Sequence, residues 1–72
     1  MFIIEYDEIL YLKSLNQEAN GEKYPVWTMS VKNIKDNCKF MTKELADEKI
    51  KLLVSYLNGN NCNIEPLKII EI

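Results

Sequence analysis

The chain reads as a small α+β protein: an N-terminal antiparallel β-hairpin, one amphipathic helix over about residues 42–57 packed on the sheet, and a C-terminal strand. Three features predict it. Residues 2–15 and 24–31 are rich in β-branched and aromatic types, residues 39–59 space their apolar positions as a helix does, and residues 67–72 return to a strand-like, isoleucine-rich run.

Residues 2–15 contain neither Gly nor Pro and read as one strand or two. Phe2, Ile4 and Tyr6 share one parity while Ile9, Tyr11 and Leu15 share the other, so a bulge or turn near Asp7-Glu8 would bring both sets to one face. The clearest loop is 16–23, where Asn20-Gly21 suits a type I′ turn and closes the hairpin. Its second arm places Trp27, Met29 and Val31 on one face and Tyr24, Val26, Thr28 and Ser30 on the other. Pro25, lacking an N–H, belongs at the strand's start or on an edge. In 31–38 the spacing of Val31, Ile34 and Cys38 is helical, but Asn33, Asp36 and Asn37 favour turns, which predicts a short helical turn leading into Phe40.

Thr42 is the expected N-cap of the helix and Asn58-Gly59 its expected end. Leu45, Ala46, Ile50, Leu52, Leu53, Val54, Tyr56 and Leu57 fill an arc wide enough to meet a sheet and part of a second subunit; Glu44, Asp47, Glu48, Lys51 and Ser55 lie opposite. A polar loop, 58–63, then leads to Pro66, which marks the beginning of the terminal strand. Without repeats or linkers, residues 1–72 are expected to form a single domain.

A chain of 72 residues holds one modest core, and its 47% hydrophobic content points to self-association as the supplement, so a homodimer is expected. The net charge of −2 is built without Arg or His. That removes the usual residue for bidentate phosphate recognition and the commonest acid–base group and metal ligand. Residues 1–22 carry one Lys against five acids, net −4, whereas 23–51 carry seven Lys against four acids, net +3. Lys32, Lys35, Lys39 and Lys43, three or four positions apart with aromatic residues nearby, are therefore the candidates for weak nucleic-acid binding.

Cys38 and Cys62 have no further thiol or imidazole to complete a tetrahedral metal site, and both are expected to be reduced. Acidic residues near the N-terminus and the lack of a long apolar run predict a cytoplasmic protein with no membrane segment. No motif supplies a nucleophile with its base, so no catalytic residue and no cofactor are assigned.

The succession of a hairpin, Lys-Phe-Met-Thr-Lys-Glu-Leu-Ala at 39–46, a helix and Lys-Ile-Ile-Glu-Ile at 68–72 resembles small uncharacterised phage and prophage proteins. The resemblance implies an element order and transfers no functional residue. The expected role is a non-enzymatic binding or regulatory protein acting on an unidentified protein partner, with Tyr24, Trp27 and Tyr56 as the contact candidates. The Lys32 to Lys43 segment, acting on nucleic acid, is the alternative.

Overall fold

The computed structural model describes residues 1–72, in the order β1 (Phe2–Tyr6), β2 (Leu10–Gln17), β3 (Lys23–Thr28), two 3₁₀ turns (Val31–Asn33 and Asp36–Cys38), α1 (Lys43–Gly59) and β4 (Leu67–Glu71). The four strands form one antiparallel sheet in the order β3-β2-β1-β4, with the helix against β1, β3 and β4. This is the α+β architecture the residue pattern predicts. Two successive hairpins replace the single one, and the terminal strand lies beside the first.

The division of residues 2–15 comes from Asp7 and Glu8, both left-handed at φ 57° and 64°, with the Ile9 N–H donating to the Tyr6 carbonyl at 3.4 Å. Two consecutive left-handed residues are the signature of a type I′ turn. At Asn20-Gly21, where that turn was expected, only Gly21 is left-handed (φ 85°). Its N–H donates to the Glu18 carbonyl at 2.9 Å, and Asn20 serves through its side chain, whose Oδ1 accepts from the Glu22 N–H at 2.9 Å. An Asx contact thus holds the loop without a positive φ at Asn20.

The strand pairings are unequal. β1 meets β4 in continuous register from Phe2↔Glu71 to Tyr6↔Leu67, and β2 meets β3 from Tyr11↔Thr28 to Gln17↔Lys23. Between β1 and β2 only Glu5↔Tyr11 and Tyr6↔Leu10 pair. A bulge at Lys13 explains the parting, because an extra residue bends its strand away from the neighbour.

Residues 34–40 fill the opening. The Lys35 N–H donates to the Lys13 carbonyl at 2.9 Å, and Phe40 and Phe2 exchange two backbone hydrogen bonds at 2.7 and 2.8 Å. Ile34, Cys38 and Phe40 are buried there in one cluster with Ile3, Ile4, Leu12, Ala46 and Leu53. Ile3 and Ile4 are successive strand residues facing opposite ways, yet both are 0% exposed, so both faces of β1 are covered. The single helical turn predicted for 31–38 is in fact two 3₁₀ turns joined by extended backbone at Ile34 and Lys35, which allows these side chains and amides to reach inward.

Thr42 caps α1 as its sequence predicts, its hydroxyl accepting from the Leu45 N–H at 3.2 Å. The helix runs through Asn58 and Gly59 instead of stopping there. The left-handed residue is Asn61 (φ 57°), and the last turn is closed by the Asn60 N–H and Nδ2 donating to the Tyr56 carbonyl at 3.1 and 2.9 Å. Asn, with a short side chain able to bond locally, tolerates this conformation. No helix is long and apolar enough to cross a membrane.

Candidate functional site

The helix is more apolar around its circumference than the sheet can cover. Ala46, Leu53 and Leu57 are buried, whereas Leu45 and Leu52 remain 46% and 48% exposed. Being seven residues apart, they lie on one stripe, which Tyr56 extends four residues further. Beside that stripe is an open depression of about 340 Å³, lined by Leu52, Ser55 and Tyr56 of α1 and by Gly21, Glu22 and Lys23 of the β2–β3 loop. The loop reaches this position because Glu18 and Glu22 close it through a 2.8 Å backbone bond.

The depression is apolar on its helical wall, with two hydroxyls and a charge of each sign at its rim. Such a surface suits an apolar side chain of a partner, held by polar contacts around it. Nothing in it pairs a base with a nucleophile.

Of the three contact candidates, Tyr56 lines the depression, while Trp27 and Tyr24 do not. Trp27 is half-buried with its ring 5.5 Å from that of Tyr6 at 48°, and it packs against the core. The Tyr6 hydroxyl in turn donates to the Asn63 carbonyl at 2.8 Å, so this aromatic pair ties the sheet to the loop after α1. Tyr24, half-buried and three positions before Trp27 on β3, projects to the opposite face. The structure therefore does not gather the trio into one surface. The sequence reading did not single out Leu45, Leu52 or the 21–23 loop, which form this surface with Tyr56; the over-wide helical arc was the signal that could have found Leu45 and Leu52.

The four lysines follow the segment that fills the sheet opening. Lys32, Lys35 and Lys43 are exposed, and Lys39 lies 3.8 Å from the Asp36 carboxylate. Lys35 also has a structural task through its backbone bond to Lys13.

The two thiols differ. Cys62 is exposed, whereas Cys38 is buried, and burial pushes its pKa above the ordinary thiol value. The Lys49 ammonium and a hydrogen bond from the Leu15 backbone oppose this and are outweighed. Lys49, not the adjacent Lys39, is the cation that acts on the thiol. At neutral pH Cys38 is a small core residue held in its unreactive, protonated form. No group of three or more His, Cys, Asp or Glu side chains is placed to hold a metal ion.

Comparison of the chain with protein-family models, curated proteins and solved structures finds no match.

Proposed function

We propose that this chain is a small non-enzymatic binding protein of the cytoplasm, self-associating as a homodimer and acting on a host or phage protein through the stripe and depression formed by Leu45, Leu52, Tyr56 and the 21–23 loop. The observation that carries the reading is the exposure of two leucines on one helical stripe bordering a concave, mixed-polarity surface. Large apolar side chains grouped in this way are what a docking partner removes from water.

The test is capture from host lysate with tagged wild-type protein and with Leu45→Glu plus Leu52→Glu, each with and without nuclease. Both positions are solvent-facing, so the paired change should leave the circular dichroism spectrum intact while abolishing capture of a nuclease-resistant protein. Equal capture by both proteins would remove the stripe from consideration. Nuclease-sensitive capture lost on Lys35→Ala plus Lys39→Ala would instead establish nucleic acid as the ligand.

A further inference from the structure

The two edges of the sheet differ in what they offer another strand. β3 contains Pro25, which has no N–H and blunts its edge. β4 contains neither Pro nor Gly, and its free side can be described group by group.

The Ile72 N–H donates to the Met1 carbonyl at 2.8 Å and the Asp7 N–H to the Pro66 carbonyl at 3.2 Å, whereas Phe2 turns its N–H and carbonyl to Phe40. With the β1–β4 register, this alternation assigns Lys68 and Ile70 of β4 to the bonds with β1. The backbone groups of Leu67, Ile69 and Glu71 therefore face away from the sheet. One is already engaged: the Leu67 N–H donates to the Ile64 carbonyl at 3.1 Å. The donors left at this edge are Ile69 and Glu71, and the acceptors are Leu67, Ile69 and Glu71.

We propose that the edge of β4 is occupied by β4 of a second copy, antiparallel about a two-fold axis at Ile69. Ile69 faces the partner's Ile69 and exchanges two hydrogen bonds with it. The Glu71 N–H donates to the carbonyl of the partner's Leu67, and the reciprocal bond completes a set of four. Only the Glu71 carbonyl is left to water.

Symmetry and the overlap of the two strands together select this register. A two-fold axis normal to a continuous sheet keeps each face on its own side, so opposed residues must share parity. Centring on Lys68 or Ile70 would cut the overlap of the two strands from all five residues of β4 to three. Centring on Leu67 or Glu71 would shorten it further. Around Ile69 no like charges are directly opposed, and the row Ile4–Ile69, a cross-strand pair in each copy, continues into its symmetry mate. Lys68, the charge that would guard such an edge, lies 3.2 Å from Glu8 of its own chain and is neutralised.

The inference deepens the self-association in the proposed function by naming its surface, and its failure can be told apart from that of the binding reading. Sedimentation over a wide concentration range should show a reversible dimer for wild type and for Glu71→Ala, which keeps the amide. Glu71→Pro, which removes an outward donor and no bond to β1, should give a monomer with an unchanged circular dichroism spectrum. A Glu71→Pro dimer as stable as wild type would overturn the proposal while leaving self-association standing. A wild-type monomer at every concentration would overturn self-association, with partner capture as a separate result.

The register is tested without proline. In a Cys62→Ser background, Lys68→Cys mixed with Ile70→Cys should cross-link into a heterodimer on mild oxidation, because these positions are directly opposed. Predominant homodimeric cross-links of either single variant would refute the register.

Discussion

The two flanks of β1 make opposite arrangements with their neighbours. On one side β4, distant in sequence, pairs along the whole strand; on the other β2, joined by a tight turn, pairs at only Glu5↔Tyr11 and Tyr6↔Leu10 before residues 34–40 intervene. A short connection brings strands together at one end and does not keep them together. What decides is the bulge at Lys13 and the burial of Ile34, Cys38 and Phe40 in the gap. The fully laddered flank is held by uniform backbone bonding, whereas the wedged flank depends on a few side chains.

The largest effect should come from breaking the laddered flank. Ile70→Pro removes an N–H directed at β1, leaves its acceptor unpaired and deletes a half-buried Ile side chain, which together should cost about 3 kcal/mol or more, a large share of the roughly 5–15 kcal/mol typical of a domain. Urea titration should show loss of the cooperative transition, in contrast to the tolerated proline at Glu71. Should Ile70→Pro unfold like wild type, the assignment of inward amides is wrong.

Phe40→Ala attacks the wedge and should destabilise by about 3 kcal/mol through the cavity it leaves. It should also sharpen the contrast. Cys38 should become reactive toward an aromatic disulfide reagent while Ile70 and Lys68 amides keep the slowest hydrogen exchange; equal acceleration at both flanks would mean that they open together.

Smaller and of opposite sign is Glu8→Gly. It relieves a left-handed non-glycine residue at φ 64° and loses only the surface ion pair with Lys68, so thermal stability should rise by up to about 1 kcal/mol. A lower melting temperature would show that the Lys68 contact outweighs the backbone strain.

The smallest effect is a pH dependence. Since burial raises the Cys38 pKa, the folded state retains that proton more firmly than the unfolded state does. Its contribution is therefore fully present below the unfolded thiol's pKa and declines as pH rises from there through the folded value. The difference in stability between wild type and Cys38→Ala should shrink in that alkaline window, and a constant difference would remove the thiol as its source.

What the residues disclosed and what they withheld follow from the range of the interactions. The Thr42 cap, the interruption at Asp7-Glu8 and the surplus apolar arc of α1 depend on neighbours a few positions away, and each could be read in order along the chain, whereas the second arm of the hairpin was read too long, since β3 ends at Thr28 and Val31 opens a 3₁₀ turn. The helix end was misplaced because Gly59 can remain helical when Asn61 takes the left-handed conformation. The wedge was not legible, since the bond from Lys35 to Lys13 and the bridge from Phe40 to Phe2 arise only after the bulge has opened the sheet. The candidate depression was half visible: Tyr56 and the leucines announce themselves as apolar, but their meeting with Gly21 to Lys23 is a product of the fold.

The pairing of Phe2 with Glu71 also bears on the order of events during synthesis. A strand whose full-length partner lies almost a whole chain away must wait, because the closure entropy of so large a loop is met only when the last strand arrives. Until then the nascent β1 has two anchoring pairs to β2, and Ile3 and Ile4 lack the cover they have in the finished molecule. The ribosome-bound chain should therefore present a sticky strand until β4 has emerged, making it a substrate for chaperones that recognise short apolar segments and coupling its yield to the time between translation of β1 and of β4.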